Sequence, residues 1–130
     1  MFKRVDHIEI VPSDLDRTIK FYTEVLGFRL QRRQKATAPS PSAAQETAFV
    51  ELNGILIEMF SVNDPAPASK ERWQVGYRRM ALEVDDMDKL AENLKAKGVE
   101  VTIRPGPGGA SRMGEIRDPD GLSIQLMERR

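Results

Sequence analysis

Few side chains in this sequence could carry acid–base or metal chemistry, and four of them occupy related places. His7 is the only histidine among the 130 residues. It lies in a short apolar segment, as do Glu58, Arg79 and Gln125 in three others. His7 and Glu58 could act as acid and base, because imidazole titrates near neutrality and a carboxylate accepts protons. Arg79 could bind an anion, and Gln125 could offer its amide oxygen to a hard metal.

An internal repeat relates the first strand–helix segments of the two halves. Residues 5–11 (VDHIEIV) and 78–84 (RRMALEV) are strand patterns, and each precedes a helical pattern of apolar residues. Ser13 and Asp85 are the predicted helix N-caps. The repeat places Arg79 at an offset of 72 from His7.

A second repeat covers the hairpin that ends each half. Residues 49–60 align with residues 116–127 at an offset of 67, which superposes an NG and a DG turn dipeptide and pairs Glu58 with Gln125. Two unrelated motifs that recur in the same order predict two copies of one βαβββ module. The fold class is therefore α+β, with module one at about 1–62, a linker at about 63–76 and module two at about 77–130 of a single domain.

Side-chain alternation along the strands assigns the four polar residues to one kind of sheet face. Ile8 and Ile10 alternate with His7 in the first strand, so the helix-facing side is apolar. Any one of the four could simply face solvent on an antiparallel sheet. As a set at equivalent places, they predict a shared concavity turned away from the helices.

Composition limits the classes of partner. Lysine plus arginine and aspartate plus glutamate both number 20, and cysteine is absent. The zero net charge therefore gives no general electrostatic attraction to nucleic acid. Without cysteine, disulfides and thiolate metal sites are excluded. No apolar run reaches the length of a membrane span. We expect a cytoplasmic protein with neither a membrane nor a nucleic-acid partner. Residues 32–46 and 104–114 are predicted loops, the second rich in glycine and proline.

Three segments resemble a known superfamily: DHIEIVPSDLDRTIKFYTEVLGFRL, LEVDDMDKLAENLKAKGVEV and RDPDGLSIQLME. They resemble the two module openings and the closing hairpin of the vicinal-oxygen-chelate proteins, which include glyoxalases, bleomycin-resistance proteins and dioxygenases. The resemblance implies a curved, cup-like mixed sheet with the helices outside and a small-molecule ligand in the cup. It also implies a homodimer.

The resemblance carries the metal positions of the superfamily to His7, Glu58, Arg79 and Gln125. His7, Glu58 and Gln125 could ligate a divalent ion, but a guanidinium has no lone pair to donate. At about 4 Å its charge would repel such an ion by roughly 8 kcal/mol at an effective dielectric near 20. The cofactor is therefore left unassigned, with a divalent metal disfavoured by Arg79. Our hypothesis is that Arg79 replaces the metal charge and pairs with Glu58.

Two functions remain open from the sequence. In a glyoxalase-type lyase or isomerase, Glu58 would be the general base, and His7 or Arg79 would stabilise an enolate. An extradiol dioxygenase is disfavoured, since its iron site needs two histidines. In a metal-free protein like those that bind antibiotics, Phe49 and Phe60 would hold an apolar ligand. Arg79 and Gln125 would then bind its polar groups.

Overall fold

The computed structural model describes residues 1–36, 44–109 and 111–129. The chain divides into two compact units, Met1–Pro67 and Ala68–Arg130. The boundary between them lies inside the linker predicted at about 63–76. Each unit runs through one strand, one helix and three further strands, so the predicted α+β fold of two βαβββ modules is confirmed.

The elements of the first unit are β1 (Ile8–Ile10), α1 (Leu15–Lys20) with a π-helical continuation (Phe21–Val25), β2 (Arg29–Lys35), β3 (Ala44–Leu52) and β4 (Ile55–Val62). Their sheet has the order β1-β4-β3-β2, with β1 parallel to β4 and the other pairs antiparallel. The two-residue NG turn joins β3 to β4, and Asn53 takes the positive φ that this turn requires. The parallel pairing places β1 directly beside β4, which brings two distant segments of the sequence together.

The elements of the second unit are β5 (Met80–Glu83), α2 (Met87–Ala96), β6 (Thr102–Pro105), β7 (Arg112–Arg117) and β8 (Ser123–Glu128). Their sheet repeats the topology of the first, with the order β5-β8-β7-β6 and β5 parallel to β8. The DG dipeptide lies in the β7–β8 connection as predicted. Asp118 accepts hydrogen bonds there from the backbone N–H groups of Asp120 and Leu122, both at 2.9 Å.

Strand alternation separates an apolar face from a polar face in the first unit. Val50, Ile57 and Met59 are each at most 2% exposed, and Leu15 and Ile19 of α1 are buried as well. Successive residues of a strand point to opposite faces. The residues between these core positions therefore lie on the face away from the core, as the sequence predicts for Glu58.

The second unit also has an apolar sheet face, and its helix α2 packs closely against that face. Met87, Leu94, Ile124 and Leu126 are each at most 2% exposed. A Cβ atom at Gly114 would come within 3.2 Å of the Met87 sulfur. Glycine therefore lets α2 pack closely on β7, and Gln125 alternates with the buried residues of β8.

Both helices begin one residue later than predicted. The Asp14 side chain accepts a hydrogen bond from the Arg17 N–H at 3.0 Å, and Asp86 accepts one from the Lys89 N–H at 3.1 Å. The predicted caps, Ser13 and Asp85, were wrong because the aspartate that follows each of them has the extended backbone and the acceptor that an N-cap needs. Among the described residues, no helix is long and apolar enough to cross a membrane.

The loop predicted at 32–46 was also wrong at both of its ends. Arg32–Lys35 continue β2, and residues 44–46 begin β3, with Lys35 opposite Glu46. Arg33 reinforces this pairing, because its side chain bonds both Glu46 and Asp16. Residues 37–43 of the predicted loop lie outside the described residues.

Candidate functional site

A cluster of His7, Glu9 and Glu58 lies on the polar face of the first unit. The imidazole Nε2 is 3.1 Å from a Glu9 carboxylate oxygen and 3.3 Å from a Glu58 carboxylate oxygen. Glu9 lies opposite Glu58 in the parallel β1–β4 pairing. His7 and Glu9 are two residues apart and therefore point to the same face. Pairing of β1 with β4 therefore assembles the cluster from segments about 50 residues apart in the sequence.

The surroundings of His7 favour its protonated form. Its Nδ1 is 2.8 Å from a carboxylate oxygen of Asp6, while Nε2 faces Glu9. Because carboxylates only accept, both ring nitrogens must donate, and the ring is then an imidazolium. The hydrogen bond to Asp6 raises the pKa of His7 most, followed by the hydrogen bond to Glu9. Burial lowers this pKa, and the negative charge of Glu58 raises it.

Glu58 is the least exposed carboxylate of the cluster, with 14% of its side chain accessible against 57% for Glu9. Burial raises the pKa of Glu58, and the neighbouring charge of Glu9 adds to that, although His7 and Arg32 act in the opposite direction. A carboxylate with a raised pKa is a stronger base than an exposed one.

Aromatic rings border this cluster on the same sheet face. Phe49 lies opposite Glu58 in the β3–β4 pairing, and its ring meets the His7 ring edge to face at 5.5 Å between centroids. The Arg32 guanidinium carbon lies 4.8 Å from the Phe49 centroid. Phe60 follows Glu58 by two residues in β4 and points to the same face. The structure therefore brings His7, Glu58, Phe49 and Phe60 to one surface.

Arg79 and Gln125 lie together in the second unit. Arg79 donates from Nη1 to a Glu115 carboxylate oxygen at 2.9 Å, and only 9% of its side chain is exposed. Gln125 lies opposite Glu115 in the β7–β8 pairing and opposite Ala81 in the β5–β8 pairing. The partner of Arg79 in the structure is thus Glu115 of its own unit. Its pairing with Glu58, a residue of the other unit, stays a prediction.

Sequence reasoning missed four residues of these two clusters: Asp6, Glu9, Arg32 and Glu115. For Glu9 a signal existed, because it has the strand parity of His7 and follows it by two residues. Asp6 has the strand parity opposite to that of His7 in the predicted strand at 5–11, but both residues precede β1 in the structure, so parity does not separate their side chains. Arg32 depends on the β2–β3 pairing and Glu115 on the β7–β8 pairing, and the repeat alone defines neither register.

Comparison with known proteins assigns the family. Residues 4–126 match the model of the Glyoxalase/Bleomycin resistance protein/Dioxygenase superfamily. The chain belongs to this superfamily.

Individual members of the superfamily match over almost the whole chain. A lactoylglutathione lyase of Arabidopsis thaliana is 35% identical over 98% of the chain and 44% of its own length. A probable lactoylglutathione lyase of Vibrio cholerae is 33% identical over 96% of the chain and 90% of its own length. The crystal structure of a glyoxalase family protein from Enterococcus faecalis superposes with a TM-score of 0.82 at 26% identity, covering 98% of each chain. The chain spans less than half the length of the plant relatives it matches.

The residues present do not fit the four-ligand metal site of other superfamily members. In the first unit, ligand atoms of His7, Glu9 and Glu58 lie within 4.8 Å of one another. His7, however, directs both of its nitrogens at carboxylates, and an imidazolium must lose a proton before it can ligate a metal. In the second unit, Arg79 offers a positive charge where a donor is needed, and Gln125 offers an amide at most. We therefore derive no chemical step through a metal.

The single histidine makes its titration directly measurable. We expect the folded-state pKa of His7 to exceed that of a free imidazole, because Asp6 and Glu9 accept its protons. Protonation then adds stability that is fully present below the unfolded pKa and is lost as pH rises through the folded pKa. Nitrogen-15 imidazole NMR over a pH series measures the midpoint.

Two variants test the cause of this shift. Asp6→Asn and Glu9→Gln should each lower the NMR midpoint, with Asp6→Asn having the larger effect because its hydrogen bond contributes most. Arg29→Gln, on the exposed edge of the same sheet, is the control and should leave the midpoint unchanged. A midpoint below that of a free imidazole would contradict the imidazolium assignment.

Proposed function

We propose that the His7–Glu9–Glu58 cluster catalyses proton transfer on a carbon acid next to a carbonyl, as a lyase or isomerase of glyoxalase type. The observation that carries the proposal is Glu58, a carboxylate only 14% exposed and 3.3 Å from the His7 imidazole. Enolisation needs a base that takes the carbon-bound proton and a donor that stabilises the enolate oxygen, and a largely buried carboxylate beside a cationic hydrogen-bond donor can supply both.

Glu58 supplies the base. Burial raises its pKa, and the carboxylate therefore holds an abstracted proton more strongly than an exposed glutamate would. In the forward direction Glu58 takes the proton from the carbon beside the carbonyl and leaves an enolate. Returning that proton to the neighbouring carbon, while the hydroxyl proton of the adduct passes from its own oxygen to the former carbonyl oxygen, completes an isomerisation and regenerates the carboxylate.

His7 supplies the opposing charge. The enolate carries its negative charge on oxygen, and a preorganised cationic donor stabilises that oxygen more than it stabilises the neutral carbonyl. Asp6 and Glu9 keep the ring protonated and fix its orientation through their two hydrogen bonds. They act as positioning residues, and because an imidazolium has only two N–H donors, the substrate oxygen takes the place of Glu9 at Nε2.

The names of the relatives indicate the substrate class to try first. Two relatives are named as a lyase and a probable lyase of lactoylglutathione, which is the thioester of a 2-hydroxy acid and an isomer of the thiol adduct of methylglyoxal. The thiol adduct of methylglyoxal has a C–H group beside a carbonyl, which is the carbon acid that Glu58 requires. Phe49 and Phe60 would contact its apolar part, and Arg79 and Gln125 are proposed as further substrate-binding residues.

The test is turnover of the methylglyoxal–glutathione adduct by chelator-treated protein of verified metal content. We expect formation of the thioester, followed by its ultraviolet absorbance, without added metal. Activity that appears only with Ni²⁺, Zn²⁺ or Mn²⁺ would overturn the metal-independent mechanism. Saturable binding of such adducts with no turnover under either condition would indicate a binding protein instead.

The pH dependence of kcat/KM should be bell-shaped. Activity should fall as pH falls through the pKa of Glu58, which burial places above the usual carboxylate range. It should fall again as pH rises through the pKa of His7, which Asp6 and Glu9 raise. The two apparent pKa values of the profile belong to the interacting pair of Glu58 and His7. Because Glu9 raises the pKa of His7, Glu9→Gln should move the alkaline limb to lower pH. An alkaline limb at the wild-type position in the Glu9→Gln variant would contradict the role of His7.

The homodimer and the cytoplasmic location implied by the resemblance stay predictions. Light scattering on the purified protein at micromolar concentration tests the dimer directly, with twice the chain mass of 14.7 kDa as the expected result. A monomer mass throughout that range would contradict it.

A further inference from the structure

Arg79 is a buried cation whose hydrogen-bonding capacity is largely unused. Its side chain is 9% exposed, and Nη1 donates to Glu115 at 2.9 Å. A guanidinium has five N–H donors in a rigid fork. Within the described residues no other hydrogen bond of Arg79 is formed, and its nitrogens are not among the fully buried atoms without a partner. The remaining donors are therefore open to a ligand.

Positive charge exceeds negative charge around this arginine. Glu115 is shared, because its other carboxylate oxygen accepts from Arg117 at 3.0 Å. Burial lowers the pKa of Arg79, and repulsion from Arg78 lowers it further. The attraction of Glu115 raises this pKa, but by less than Arg78 lowers it. Arg104 and Arg72 contribute further repulsion. One carboxylate thus pairs with two guanidinium groups, Arg79 and Arg117, an arrangement that an additional anion would stabilise.

A neutral hydrogen-bonding group borders the same place. Gln125 lies opposite Glu115 in the β7–β8 pairing, so its amide is on the sheet face that Glu115 occupies. An amide can donate to an oxyanion without adding charge. Thr102 lies opposite Glu115 on the other side, in the β6–β7 pairing, and extends this polar surface.

We propose that Arg79 anchors an oxyanion site in the second unit that takes the carboxylate of a small organic acid. Glu115 holds the guanidinium in place through Nη1, and the free edge of the fork receives the two carboxylate oxygens. Planar bidentate pairing matches a carboxylate and distinguishes arginine from lysine.

The inference depends on the second unit alone, and binding is measured without turnover, so it stands or fails separately from the proposed function. The probes are lactate, lactamide as its neutral isostere, and inorganic phosphate, each titrated into the full chain. NMR of the arginine Nε–Hε groups locates the response on the wild-type protein. We expect lactate to shift the Arg79 signal with a Kd on the order of millimolar, and lactamide to leave it unchanged.

Substitutions of Arg79 establish whether lactate binding requires the planar guanidinium or only its positive charge. Arg79→Gln and Arg79→Lys should each weaken lactate binding at least about tenfold, since neither retains a charged planar fork. Arg29→Gln, an exposed arginine of the first unit, is the control and should bind as the wild type does. Wild-type affinity in Arg79→Lys, a lactate response at other arginines only, or no response to lactate would each overturn the proposal. A response to phosphate with none to lactate would overturn the assignment to carboxylates.

Discussion

Replacing Glu58 by glutamine is expected to lower kcat/KM for the methylglyoxal–glutathione adduct by about 10²–10⁴-fold, the range of a positioned general base. Glutamine keeps the size and shape of glutamate but cannot accept a proton at neutral pH. Steady-state kinetics on both proteins measure the effect. Circular dichroism and thermal unfolding of the variant should match the wild type, because the amide occupies the same half-exposed place on β4.

A matched control is available on the same sheet. Glu51 lies in β3 on the same face as Phe49 and pairs with the exposed Arg29, away from the imidazole. Glu51→Gln should change kcat/KM by less than about twofold, since it removes a carboxylate of the same face without touching the base. Equal losses in the two variants would attribute the effect to surface charge and not to proton transfer. Full activity in Glu58→Gln would exclude Glu58 as the base.

The largest expected loss of stability comes from Glu128, a carboxylate that is 1% exposed. It accepts from the Met87 N–H at 2.6 Å, at the beginning of α2, and from Arg112 Nε at 3.1 Å. Arg112 also bonds Asp88 in the first turn of that helix, at 2.9 Å. Glu128→Ala would remove the acceptor of the Met87 N–H and one of the two carboxylate partners of Arg112.

Leaving a buried N–H without its acceptor costs about 1–3 kcal/mol, and the lost charge-assisted hydrogen bond to Arg112 adds to that cost. Denaturant unfolding of wild type and Glu128→Ala, followed by circular dichroism, measures the difference. Arg29→Gln removes an exposed ion pair instead and should cost less than about 1 kcal/mol. A loss for Glu128→Ala no larger than that of Arg29→Gln would show that the carboxylate does not tie α2 to the sheet.

The modular fold could be predicted because it leaves repeated local patterns in the sequence. The NG and DG turns and the strand parity around Glu58 and Gln125 are each set by a few neighbouring residues, and the structure places them as expected. The helix starts were predicted one residue early. Ser13 and Asp14 are both competent caps by type, and only the backbone angles select between them.

The candidate site could be predicted only as far as strand parity reaches. Parity places Glu58 away from the core, but the approach of Glu9 to it follows from the parallel register of β1 and β4. Glu115 became the partner of Arg79 through the β7–β8 pairing, which depends on how many residues the connecting loop contains. Pairings between strands are long-range properties that a short window of sequence does not contain.

Proton exchange with solvent tests the central claim, that Glu58 moves a proton on a carbon acid without a metal. Chelator-treated protein is incubated in D₂O with the methylglyoxal–glutathione adduct, and the carbon-bound proton is followed by NMR. We expect exchange or thioester formation by the wild type and its loss in Glu58→Gln, with Glu51→Gln unaffected. Exchange that persists in Glu58→Gln, or that requires added metal in the wild type, would contradict it.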